Sequence, residues 1–155
     1  MAIDKVREHL RKWNRDSDIL EFDTSSATVE LASRALGVEP GRIAKTISLR
    51  ADEGAMVVVT AGDVKIDNVK FKAEFGFKAK MLLPEDVLAS TGHAIGGVCP
   101  FGLKEGTRVF LDVSLKKFDA VYPACGSDNS AIELTCEELE EYSLSERWID
   151  VCKAR

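Results

Sequence analysis

At 155 residues, with 45% hydrophobic and 30% charged side chains, the chain has the composition of a globular protein large enough for a true core. A net charge of −5 excludes a protein that coats nucleic acid indiscriminately, and no apolar run approaches the ~20 residues needed to span a bilayer. Residues 1–7 carry charges where a secretion signal needs an apolar core, so one cytoplasmic domain spanning 1–155, with no membrane association, is expected.

The apolar residues Ile3, Val6, Leu10 and Trp13 recur at helical spacing and predict an amphipathic opening helix. Residues 18–22 read as a short edge strand. Ser25 and Ser26 are candidate caps for a second helix bearing Val29, Ala32 and Leu36, which Gly37 stops and Pro40 keeps from resuming. Ile43–Arg50 reads as a strand with Ile43, Lys45, Ile47 and Leu49 on one face, so Lys45 interrupts an apolar side. A lysine there snorkels to water at a sheet edge or meets an anionic or carbonyl-bearing ligand, because an unpaired buried charge is costly.

Asp52, Glu53 and Gly54 form a hairpin turn, and Ala55–Ala61 is the continuous apolar run of a central strand. Asp67 caps a helix carrying Val69, Phe71 and Phe75 that ends at Gly76, and residues 77–81 are a further strand candidate. Pro84 starts another helix and Gly92 closes it. Val109, Leu111 and Val113 alternate as a strand; residues 120–122 and 132–134 read as two more. Thr135 and Glu138 form a capping box ahead of a helix with Leu139 and Tyr142. The fold class is mixed α/β, with one large, curved mixed sheet and surrounding helices.

Two loops stand apart. Residues 93–103 are too apolar for an ordinary exposed loop and too rich in glycine for a helix or strand; they are a buried crossover or a binding loop that presents bare N–H groups. Residues 125–130 form a second, small and polar loop. The four cysteines have no C-x-x-C pair or zinc spacing and are expected as free thiols, and neither a metal nor a cofactor is expected. P-loop, dinucleotide-binding and G-x-S-x-G signatures are all absent. What remains is Lys45 as a positive charge, with N–H groups near Gly96 and Gly97 able to hold a carbonyl or developing oxyanion. Lys65, Lys70, Lys72, Lys78 and Lys80 crowd together, as a polyanion-steering patch or as solvated surface.

Three stretches carry a resemblance over nearly the whole chain. They are Leu36-Gly37-Val38-Glu39-Pro40 with Ile43-Ala44-Lys45-Thr46-Ile47; residues 91–102 with a G-x-x-x-P loop from Gly96 to Pro100; and Tyr122 through Cys125-Gly126 to Ile132-Glu133-Leu134. In this order and spacing they resemble the YbaK/prolyl-tRNA synthetase-associated editing domains. The resemblance implies a stand-alone trans-editing deacylase that removes a small mischarged amino acid from tRNA, most often proline tRNA. It implies no metal and water positioned by backbone and by the ribose hydroxyl; a prolyl-tRNA synthetase is a possible partner. Lys45 maps to the family's essential lysine, and Gly96, Gly97 and Pro100 to its backbone loop. Phe22 maps to an aromatic position, with Thr46, Val98, Cys99, Cys125, Gly126, Ser127, Asp128 and Asn129 as further substrate-binding candidates. The alternative of the same fold is a non-catalytic tRNA- or nucleotide-binding module.

Overall fold

The computed structural model of the protein describes residues 2–155. The chain opens with α1 (Ala2–Leu10), which buries Val6 and Leu10 and continues as a 3-10 turn through Trp13. The short β1 (Leu20–Glu21) follows; the expected strand over 18–22 shrinks to these two residues because a 3-10 turn occupies Asp16–Asp18. α2 (Val29–Leu36) is capped by Thr28, whose hydroxyl accepts from Leu31 N–H, and not by Ser25 or Ser26. Gly37 ends it at φ +69°.

β2 (Ile43–Arg50) and β3 (Ala55–Ala61) form the hairpin, with β3 buried along its whole length. β4 (Val64–Ile66) leads to α3 (Asn68–Phe75), where the Asp67 carboxylate accepts from Val69 and Lys70 N–H. Residues 77–81 do not form a strand: they touch β2 only through a single Leu49–Met81 bridge. α4 (Pro84–Thr91) ends at Gly92, and β5 (Arg108–Asp112) stops one residue early because Val113 enters a 3-10 turn whose Ser114 N–H is taken by the Asp112 carboxylate.

The remaining strands are shorter than their apolar pattern suggested. β6 is Tyr122–Pro123 and β7 is Ser130–Ala131, while Val121 and Leu134 meet only as an isolated bridge. α5 (Cys136–Ser143) starts in the expected capping box, followed by β8 (Arg147–Ile149) and β9 (Cys152–Ala154).

The main sheet is five-stranded and mixed, in the order β6-β2-β3-β5-β8; only the β2/β3 pair is antiparallel. Two antiparallel ribbons, β1-β7 and β4-β9, flank it. The core gathers Met56, Val58, Phe71, Phe101, Phe110, Leu111 and Leu139. No helix among the described residues is long and apolar enough to cross a membrane.

Candidate functional site

A cavity of about 900 Å³ opens beside β2. Its walls are Lys45, Thr46 and Ile47 of β2, Thr28 and Val29 at the start of α2, Gly96 and Val98 of the glycine-rich loop, and Tyr122, Ser130 and Arg155. Lys45 is half-buried, and that burial pushes its ammonium below the ordinary lysine range, with the Arg155 guanidinium adding to the shift. No carboxylate offsets either effect. The Lys45 charge is thus held on a partly desolvated wall with no partner among the described residues. Next to it, the buried Thr46 Oγ1 has no hydrogen-bond partner among the described residues.

The glycine-rich loop divides its residues between two sides. Gly96, at φ +91°, and Val98 face the cavity. Gly97 lies behind them, where a Cβ would sit 2.8 Å from Ser127 N and 2.9 Å from Gly126 C, so only glycine allows the two loops to touch. Its N–H donates to Ala94 O at 3.0 Å and is therefore spent within the loop. The expectation that Gly97 N–H faces a ligand is corrected here: the loop residues that line the cavity are Ile95, Gly96 and Val98, and none of their N–H groups has a partner among the described residues.

His93, Cys99, Pro100 and Phe101 anchor the loop in the core. The Cys99 thiol lies 3.6 Å from His93 Nε2 and 3.5 Å from Phe101 O, fully buried and away from the cavity wall. Burial pushes it up to about 12 and lowers the His93 pKa. The imidazole is therefore neutral near pH 7, with Nε2–H donating to Phe101 O at 2.7 Å. Cys125 is equally buried, its thiol raised well above the usual range. Neither cysteine has the exposure or acidity of a nucleophile.

The second loop is chiefly a brace and reaches the cavity only at Ser130. Asn129 receives the Phe22 N–H at its carbonyl (2.8 Å) and donates its side-chain N–H to Phe22 O (3.0 Å). Asp128 O accepts from Ser26 N at 2.6 Å, and Ser127 Oγ bonds Asn129 Oδ1 and Ser130 Oγ. Phe22, Gly126, Ser127, Asp128 and Asn129 thus hold the walls in place and do not line them. Of the thirteen residues singled out from the sequence, the cavity collects Lys45, Thr46, Gly96 and Val98. It adds Ile47, Tyr122 and Ser130, which lie within the family-like stretches but were not singled out as site residues, and Arg155, which lies outside all of them. Among the described residues no three His, Cys, Asp or Glu side chains are gathered to hold a metal.

The family model for the aminoacyl-tRNA editing domain matches residues 23–142. The chain belongs to the aminoacyl-tRNA editing domain family. Among editing-domain relatives, the uncharacterized protein YwhH of Bacillus subtilis (strain 168) is 58% identical over 154 residues, covering 99% of this chain and 98% of its own. A chain of Enterococcus faecalis (strain ATCC 700802 / V583), provisionally named Cys-tRNA(Pro)/Cys-tRNA(Cys) deacylase EbsC, is 32% identical over 114 residues, or 72% of this chain and 70% of that one. A crystal structure described provisionally as a trans-editing enzyme for prolyl tRNA synthetase superposes with a TM-score of 0.88 at 26% identity, covering 99% of this chain and 98% of the other.

Proposed function

We propose that this editing domain is a stand-alone trans-acting aminoacyl-tRNA deacylase, hydrolysing the ester between a small mischarged amino acid and the terminal ribose of proline tRNA. The observation that carries the reading is the unpaired, half-buried Lys45 on the same cavity wall as the free N–H groups of Gly96 and Val98. The names borne by the Enterococcus relative and by the superposed structure point the same way. Action on charged tRNA puts the protein in the cytoplasm, where a prolyl-tRNA synthetase is the natural source of the substrate.

The chemistry is attack by water on the ester carbonyl. The water adds, the carbonyl oxygen becomes an oxyanion, and collapse releases the free amino acid and a ribose hydroxyl that takes up the proton. Fixed donors in a desolvated site favour the oxyanion more than they favour the neutral ester, and a single donor is worth about 10²–10³ in rate. Lys45 supplies the charge; Gly96 and Val98 supply N–H groups. The buried thiols of Cys99 and Cys125 and the His93 ring take no part, so no acyl-enzyme forms. A volume of about 900 Å³ holds an adenosine end with a small acyl group.

A deacylation assay over tRNAs charged with alanine, cysteine, serine and threonine tests the reading. Lys45→Ala is expected to lower kcat/KM at least about 100-fold without unfolding the protein, and a chelator is expected to leave the rate unchanged. Full activity in a folded Lys45→Ala protein refutes the lysine role. Binding of tRNA without cleavage across the whole panel replaces the enzyme by a non-catalytic module.

A further inference from the structure

One edge of β2 is bonded to β3 throughout, whereas its other edge is covered only at its two ends. The hairpin fixes which residues face which way. Ala51 N–H donates to Gly54 O at 3.1 Å, and counting back along the unbroken antiparallel register makes Leu49, Ile47 and Lys45 the residues that exchange bonds with β3. The even-numbered residues turn their main chain outward. Arg50 N–H donates to Lys80 O at 2.8 Å, and Ser48 O accepts from Leu82 N–H at 3.2 Å, in keeping with that parity. At the other end Ala44 stands beside Pro123 of β6, where the short strand stops.

Thr46 lies between these covered ends. Its N–H and C=O point into the cavity with no partner among the described residues, and its Oγ1 is buried and unpartnered as well. Buried main-chain groups are nearly always paired, so a break in an otherwise bonded strand edge marks a place for a guest. The gap from Ala44 to Ser48 spans four residues, about 13 Å.

We propose that the Thr46 main chain is the docking edge for the aminoacyl group, and that it selects esters of α-amino acids whose amine is unmodified. This rests on the deacylase reading above. An aminoacyl ester contains the same N–Cα–C=O unit as a strand residue, with amine and carbonyl pointing the same way when extended. It lies against Thr46 as a one-residue antiparallel strand: the ammonium donates to Thr46 C=O, and the ester carbonyl accepts from Thr46 N–H. The polarity of that pairing sends the ribose toward Lys45 and Tyr122. It sends any group attached to the amine toward Ser48, where Leu82 already closes the edge. N-acylated esters are therefore excluded twice, by loss of the charged donor and by collision with Leu82.

The test compares alanyl-tRNA with N-acetylalanyl-tRNA as substrates. It also follows amide hydrogen exchange at Thr46 with a stable probe, adenosine carrying alanine in amide linkage at the 3′ position. The N-acetyl ester is expected to be cut about 10- to 100-fold more slowly, and the probe to slow exchange at Thr46 while its N-acetyl form does not. Equal cleavage of the two esters, or unchanged exchange at Thr46 under saturating probe, overturns the docking edge even if deacylation itself is observed. Protection of Thr46 by the probe with neither ester cleaved keeps the docking edge and refutes the hydrolytic reading instead.

Discussion

Gly97→Ala perturbs the packing between the two loops without touching any group on the cavity wall. The added methyl carbon would stand 2.8 Å from Ser127 N and 2.9 Å from both Gly126 C and Ser127 Cα. All three are backbone atoms, so no side-chain rotation relieves the contact. Restoring an ordinary 3.4 Å separation from the closest of them moves one loop by about 0.6 Å (3.4 less 2.8). Ser127 is tied to Ser130 and Asn129, and Asn129 to Phe22, so the braced loop resists and the glycine-rich loop gives way. Overpacking of this kind costs about 1–3 kcal/mol, and in a chain of this size each kcal/mol lowers Tm by about 2–4 °C. The same displacement carries Gly96 and Val98 N–H off the position of the oxyanion. Misplacement by up to an ångström costs up to about 100-fold in rate, so kcat should fall by roughly 10- to 100-fold at temperatures where the protein remains folded. Thermal melting and single-turnover deacylation measure the two effects separately. A variant with unchanged Tm and unchanged kcat would refute both the contact and the placement of the loop.

Three other outcomes are expected. Burial first and Arg155 second lower the Lys45 pKa, so activity that needs the ammonium should decline with rising pH before an ordinary lysine would titrate. Arg155→Ala removes the repulsion, raises the Lys45 pKa and moves that alkaline limb to higher pH; an unmoved limb in the pH–rate profile separates the limb from Lys45. In the lysine patch, Lys70 is already held by Asp150 and Cys152 O, whereas exposed Lys78 and Lys80 precede the cavity residues Met81 and Leu82. Neutralising Lys78 and Lys80 together should weaken tRNA binding and reduce the salt slope by about 2, while Lys70→Ala should leave that slope unchanged. Finally, iodoacetamide at neutral pH should leave deacylation unaffected and Cys99 unmodified in the folded protein, since that thiol is buried and pushed up to about 12; rapid inactivation coupled to labelling of Cys99 would contradict its burial.

Much of the architecture was legible because local chemistry and tertiary packing agree in it. Asp67, Pro84 and the Thr135–Glu138 capping box mark helix starts, and Gly37, Gly76 and Gly92 mark ends that the structure reproduces at positive φ. The nearly continuous apolar run of β3, broken only by Thr60, could only be a central strand. What failed was short pairing. Residues 77–81 and 132–134 have strand-like alternation, yet each makes one isolated bridge, because pairing depends on where a distant segment runs. Lys45 was legible as an odd charge in an apolar strand. Cys99 was not legible as an anchor: a cysteine in a glycine-rich loop looks the same whether it turns toward the cavity or toward His93. The open edge at Thr46 left no trace in the sequence, because where a strand edge is covered depends on where distant segments run.

The two-residue turn at Asp52 and Glu53 has a reach far beyond its size. It joins β2 to β3, and Lys45 lies seven residues before Asp52, some 23 Å away along an extended strand. Side chains alternate along that strand, so sliding β2 by one residue against β3 would carry Lys45 to the opposite face and exchange the open main-chain groups of Thr46 for those of a neighbour. Ala51 N–H on Gly54 O, with Gly54 at φ +78°, fixes the count. Lengthening this remote turn by one residue would therefore act on the chemistry as a frame error acts on a message: every element still present, and each delivered to the wrong side.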